Sequence, residues 1–404
     1  MKAHLIKFGS GRELAEAARR LGASEASLSF FEARRETLQI YVTDVPSPAA
    51  SIIKQETLSR GGDAAVHANV INCGVERSDV IIFGTAKQLG HLADKLEMMP
   101  WWKLSGLAAD IRRLTAPRAK RAVKLPCGAE LAFGERTLLM GIINLTDDSF
   151  FGESRCGGDA EKAAAKAVKM AEEGADILDL GAESTRPGAP RVPEEQERAR
   201  MSAAVAAIRR ELPHMPLSID TTRASVAEAA LGNGADIIND VSGLQFDNGI
   251  AEAAARYKAM LVLMHMRGTP SDMQTMCGYD NLLSEVCAFL EEAADKAVTL
   301  GAARGSIIID PGIGFAKDYG QNLFLLRHCE SFKALGYPLL IGASRKGCVG
   351  KATGREKPEE RLYGTLAVTA LCCRQGADII RVHDVRANKD ALMMTEAIQG
   401  AKYV

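Results

Sequence analysis

From Leu138 onward, short apolar runs alternate with longer stretches in which Ala, Glu, Lys and Arg recur at helical spacing. Eight such runs occur: LLMGII, DILDLG, PLSID, DIINDV, MLVLMH, SIIID, PLLIG and DIIRVH. They read as strands buried on both faces, which demands a parallel sheet clothed in helices. Eight β/α units in about 260 residues match a closed (β/α)8 TIM barrel in number and size. An open, doubly wound sheet is the alternative, because periodicity alone does not show closure. The tetrapeptide GADI recurs at Gly174, Gly234 and Gly376, each time before a strand. A helix ending on a left-handed glycine and feeding a buried strand explains the repeat.

The first part of the chain is less regular. LQIYVTD and DVIIFGT read as strands, SIIKQETLSR and KQLGHLADKLEMM as helices, and a further short helix follows Trp101-Trp102. SRGGDAAVH between them reads as a polar, structural turn. Together they predict a small α/β domain over residues 1–116. PRAKRAVKLP has two prolines, four cations and no period, so residues 117–126 are expected to form a linker before the barrel at 127–404. The fold class is therefore α/β, a TIM barrel preceded by a smaller α/β domain, the latter with a packing or assembly role.

Composition narrows the partners. Lys+Arg 50 against Asp+Glu 51 leaves a net charge of -1, which recommends neither nucleic acid nor an anionic membrane. No apolar stretch approaches the ~20 residues that span a bilayer, and the first residues lack a signal-peptide core. Nine scattered cysteines without CxxC pairs suggest free thiols and a cytoplasmic location.

The barrel expectation gives the strand ends a shared meaning. They finish in Asn144, Glu183, Asp220, Asn239-Asp240, His265, Asp310, Ser344-Arg345-Lys346, and Arg381 with His383. On one rim of a barrel these would converge on a pocket. Arg186, Arg345-Lys346, Arg381 and His383 suit an anionic group. Asp220, Asp310 and Asn239 offer the acceptors and donors that grip a flat, nitrogen-rich heterocycle. Each has a plainer reading as well. Asp220 could cap the next helix, Arg345 could pair with Glu359 or Glu360, His265 could be a core histidine, and Glu183 could sit in an internal ion pair.

The motifs MGIINLTDDSFFGES, LDLGAESTRPGA, SIDTTR, INDVSG, LMHMRGTPSDMQ, IIDPGIGFAK, IGASRKG and ADIIRVHDV follow one another from Met140 to Val385. In order and spacing they closely resemble the dihydropteroate synthase family of pterin-binding barrels. The resemblance implies condensation of 6-hydroxymethyl-7,8-dihydropterin diphosphate with p-aminobenzoate, releasing diphosphate. It implies pterin binding by Asp220, Asn239, Asp310 and Lys346, and diphosphate binding by Asn144, Arg186, Arg381 and His383. Asp220, Lys346, Arg381 and His383 would carry the catalysis. Phe150, Thr185, Pro187, Phe315, Ser344 and Lys346 would form the p-aminobenzoate side. Mg2+ held near Asn144 and a homodimer are also implied. A pterin-dependent methyltransferase and a non-catalytic pterin-binding protein are the alternatives. TDDSF stands where the family has TPDSF, which loosens the loop at Asp147, and GFAK replaces GFGK, placing Ala316 where backbone freedom matters.

Overall fold

The structure is a computed structural model that describes residues 11–24, 37–116, 120–145, 159–183, 192–269 and 271–401. The chain divides into two compact units, Met1–Arg118 with Gln399–Val404, and Ala119–Ile398.

In the first unit, strands β1 (Leu38–Pro46), β2 (Asp63–Val66) and β3 (Arg77–Gly84) form an antiparallel sheet in the order β1-β3-β2. Alternation along β3 buries Ser78, Val80 and Ile82. Helices Ser47–Leu58, Ala86–Glu97 and Leu104–Thr115 contribute Ile53, Leu89, Leu92, Leu96 and Ile111 to the same core. Thr85 and Gln88 form a capping box that starts the second of these helices. The SRGGDAAVH segment is a turn only as far as Gly62, and Asp63–Val66 then pairs with β3.

The second unit opens with a hairpin of β4 (Arg121–Lys124) and β5 (Glu130–Phe133), so the segment expected as a linker contains a strand. Eight strands follow: β6 (Leu138–Asn144), β7 (Ile177–Gly181), β8 (Leu217–Asp220), β9 (Ile237–Asp240), β10 (Met260–Met264), β11 (Ile307–Asp310), β12 (Leu340–Ile341) and β13 (Ile379–Val382). They pair in parallel in the order β11-β10-β9-β8-β7-β6-β13-β12. A parallel bridge between Ile309 and Leu339 joins the last strand to the first, so the barrel closes. Burial on both faces still resolves into two alternating sets. Leu138, Met140, Ile177, Ile237, Val262, Ile308 and Ile379 fill the interior with Leu125, Leu131 and Phe133 of the hairpin, while Leu139, Leu178, Ile219, Ile238 and Ile309 face the helices.

The GADI repeat has two parts. Gly174, Gly234 and Gly376 sit at φ +97, +103 and +78 and end their helices. The aspartates then reach sideways: Asp176, Asp236 and Asp378 accept from the backbone N–H of Leu139, Leu217 and Leu339 at 2.9, 3.0 and 2.8 Å. Each thus ties the start of its own strand to its neighbour, which is why the acid recurs with the glycine.

Candidate active site

Parallel strands direct their C-terminal halves to one end of the barrel, and a buried ionic network joins residues of four strands there. Arg381 on β13 donates from Nε to Asp179 Oδ2 at 2.6 Å and from Nη2 to Asp220 Oδ2 at 2.8 Å. Asp179 on β7 is fully buried and also accepts from Ser218 Oγ at 2.6 Å and Asn239 Nδ2 at 3.3 Å. Nothing in the strand-end reading singled out Asp179. Its signal is a lone carboxylate inside an otherwise apolar run, a group that stays buried only when paired. Asp220 does not cap the following helix; Asp247 accepts from the N–H of Ala224 instead.

Asp310 ends β11 and accepts from the N–H of Gly312 at 2.7 Å. It lies across Gly342 from Arg381: a Cβ on that glycine would stand 3.8 Å from Arg381 Cβ and 3.9 Å from Asp310 Oδ2. Burial raises the pKa of both Asp220 and Asp310, opposed chiefly by Arg381 at the first and Lys346 at the second.

The two adjacent cations after β12 diverge. Arg345 takes φ +56, a left-handed turn, and its buried guanidinium makes a bidentate pair with Asp384 at 2.7 and 2.6 Å. It also donates to the carbonyls of Pro358 and Glu359 at 2.7 and 2.8 Å. The Glu359 or Glu360 side-chain pairing expected from sequence is therefore replaced by Asp384. Lys346 turns toward β11, where Nζ donates to the Ile313 carbonyl and stands 4.7 Å from the centre of the Phe315 ring. Burial lowers its pKa to about 8 against the attraction of Asp310.

His383 Nδ1 lies 3.0 Å from Ser344 Oγ. Burial, with the nearby Arg381 and Arg345, lowers its pKa to about 3, so the imidazole is neutral in the free protein. His265 is a core residue, edge-on to Phe289 at 4.9 Å and bonded to Lys317 Nζ at 2.9 Å. Glu183 lies 4.0 Å from Arg223.

Beside this constellation opens a cavity of about 440 Å³ whose lining includes Asn144, Phe315, Ser344, Lys346, Arg381 and His383. Asp220, Asn239 and Asp310 are not among its lining residues; they flank it through Arg381 and Lys346. Asp147, Phe150, Thr185, Arg186 and Pro187 lie outside the described residues.

The Mg2+ expected near Asn144 is not sustained. Among the described residues no group of three or more His, Cys, Asp or Glu side chains could hold a metal ion. The rim carboxylates are already committed, Asp179 and Asp220 to Arg381 and Asp310 to a backbone N–H.

Residues 140–383 match the family described as "Pterin binding enzyme". A dihydropteroate synthase of Synechocystis sp. is 44% identical over 281 residues, which cover 68% of this chain and 94% of that protein. The bifunctional dihydropteroate synthase/dihydropteroate reductase of Helicobacter pylori is 32% identical over 398 residues, covering 98% of this chain and 99% of its own. The solved dihydropteroate synthase of Xanthomonas albilineans with 4-aminobenzoic acid is 39% identical with a TM-score of 0.63, over 70% of this chain and 100% of that one.

Proposed function

We infer the reaction from the family: the chain belongs to the pterin-binding enzymes, among the dihydropteroate synthases. It condenses 6-hydroxymethyl-7,8-dihydropterin diphosphate with p-aminobenzoate to give 7,8-dihydropteroate and diphosphate. The observation that carries this reading is the meeting of Asp179, Asp220, Asn239 and Arg381 in one buried network beside the cavity.

In this reading Asp220, Asn239, Asp310 and Lys346 grip the pterin. Arg381 and His383 hold the diphosphate, with Asn144 and Arg186. Phe315 and Ser344 flank p-aminobenzoate together with Phe150, Thr185, Pro187 and the stem of Lys346. The methylene C–O bond breaks, its electron pair leaves on the diphosphate, and the pterin ring delocalises the positive charge. The aniline lone pair then forms the C–N bond and the nitrogen gives up a proton. Arg381 stabilises the leaving charge, while orientation and exclusion of water serve the attack.

Residues 127–404 act as the catalytic domain and 1–116 serve packing or assembly. The protein works in the cytoplasm on small molecules, without nucleic acid; among the described residues no helix is long and apolar enough to cross a membrane, and the eight described cysteines are free. A homodimer forms through the barrel helices, where Phe324, Leu371, Met393 and Met394 are exposed.

The test is an assay of the purified chain with both substrates, following product mass and diphosphate release together. Dihydropteroate with stoichiometric diphosphate is the expected result. Pterin binding with neither output points to a silent binder, and methyl transfer without diphosphate to the methyltransferase alternative. Repeating the assay with NADPH or reduced flavin, read for tetrahydropteroate, decides whether the reductase named for the Helicobacter relative accompanies this chain.

A further inference from the structure

After β11 the chain passes through residues 311–317, and its carbonyls from Ile313 to Lys317 are all taken by side chains. Lys346 Nζ donates to Ile313, Gln274 Nε2 to Gly314 at 3.3 Å, and Lys317 Nζ to Phe315 at 2.9 Å. The Tyr279 hydroxyl donates to Ala316 at 2.8 Å and Asn322 Nδ2 to Lys317 at 3.0 Å. Loop carbonyls ordinarily face water, so a run held by side chains from several elements is unusual. The backbone needs the restraint: Gly312, Gly314 and Ala316 adopt φ +71, +87 and +48, and the last is a left-handed alanine. Strain kept in place by its surroundings is characteristic of functional loops.

Lys317 is the anomalous member of the clamp. It is 2% exposed, and its Nζ donates to two neutral acceptors, the Phe315 carbonyl and His265 Nδ1, each at 2.9 Å. Burial lowers its pKa to about 7, opposed by Asp310. An amine in either protonation state donates to both acceptors, so the clamp holds across neutral pH. His265 is itself fixed, its backbone N–H donating to the Asp310 carbonyl at 2.9 Å. Lys317 thereby ties the Phe315 backbone to the end of β10. The Phe315 ring lines the cavity beside the Lys346 ammonium.

We propose that Lys317 is a positioning residue for the arylamine substrate: holding the Phe315 carbonyl against His265, it sets the Phe315 ring as the wall that p-aminobenzoate lies against. This rests on the synthase reading above. Its own experiment is the KM split in Lys317→Met, which packs in the same space without donors. The KM for p-aminobenzoate rises about five- to tenfold, the worth of one misaligned aromatic contact, while that for the pterin diphosphate changes less than about twofold. Lys317→Met combined with Phe315→Ala is no worse than Phe315→Ala alone, because both act through one ring.

Parallel rises in the two KM values, or additive losses in the double variant, overturn the proposal. If Lys317→Met fails to fold, His265→Leu removes one acceptor and keeps the lysine, and the same split is expected; loss of the fold in both variants assigns Lys317 to the core and also overturns it. Wild-type turnover, measured first, tests the synthase reading alone. Binding of p-aminobenzoate to the diphosphate-and-pterin-loaded variants reads the split without chemistry.

Discussion

Replacing Asp179 by Asn removes a charge from the centre of the site and almost nothing else. The carboxylate accepts from Arg381 Nε, Ser218 Oγ and Asn239 Nδ2. An amide keeps one acceptor oxygen. Its best orientation aims that oxygen at Arg381 and Asn239 and the NH2 at Ser218, whose hydroxyl turns to accept. Shape and most hydrogen bonds survive, and the lost part is the charge facing an arginine side chain only 19% exposed. A hydrogen bond to a charged partner contributes about 1.5–3 kcal/mol against about 1 for a neutral one, and weakening a buried pair adds to the difference. Asp179→Asn is therefore expected to lose about 2–3 kcal/mol, which for a domain of this size lowers Tm by roughly 3–5 °C. Of its two carboxylate partners Arg381 then keeps only Asp220, so that pair tightens and the KM for the pterin diphosphate rises. Thermal unfolding and steady-state kinetics near neutral pH measure both. A variant within about 0.5 kcal/mol of wild type, the usual range for surface substitutions, with unchanged KM, refutes the placement of Asp179 as the hub.

The neighbouring cations should separate by phenotype. Arg345→Ala breaks a buried pair and is expected to cost about 3–5 kcal/mol in denaturant unfolding, whereas Lys346→Ala removes a desolvated charge and abolishes turnover with little change in stability. Gly312→Ala would place a Cβ 2.0 Å from the His265 carbonyl oxygen; loss of at least about 3 kcal/mol, seen as poor soluble yield and early melting, is expected. His383 has a pKa lowered to about 3 in the free protein. An anion beside it raises that pKa, so diphosphate binding takes up a proton and strengthens as pH falls through the raised pKa of the bound state toward about 3, the value in the free protein. Calorimetry in buffers of different ionisation enthalpy should show this uptake in wild type and not in His383→Asn.

The parts legible in the sequence share one cause. An apolar run buried on both faces is visible residue by residue, so all eight barrel strands appear in the pattern, and β/α alternation turns their ends into one rim. The GADI glycines were readable for the same local reason. Contacts made only when the barrel closes were not readable. Asp179 and Arg381 are 202 residues apart and Arg345 and Asp384 are 39 apart, and no periodicity announces either pair. Short strands β2 and β4 escaped because turn residues flank them and each pairs with a single neighbour. The expected metal came from the family resemblance, and the rim carboxylates that could have served it are engaged with Arg381 and a backbone N–H.

That engagement carries a consequence for binding. Asp220 and Arg381, which grip opposite ends of one substrate in the reading above, are bound to each other at 2.8 Å in the free protein. Occupation must exchange an internal pair for two external ones. Asp179 keeps its hold on Nε, so the guanidinium can release its outer edge without losing its place. Burial already raises the pKa of Asp220, and Arg381 is the main influence opposing it. When Arg381 turns to an anion, Asp220 needs the N–H donors of a pterin edge to stay ionised. A pterin alone strands the outer edge of the arginine, and diphosphate alone strands the aspartate. The two fragments should therefore bind synergistically, each raising the affinity of the other by about 5–30-fold, the effect of sparing roughly 1–2 kcal/mol of unpaired buried charge. Titrating 6-hydroxymethylpterin with and without inorganic diphosphate measures this coupling. Independent binding would mean that the Asp220–Arg381 pair is never exchanged, and the division of the site into a pterin end and an anion end around it would be wrong.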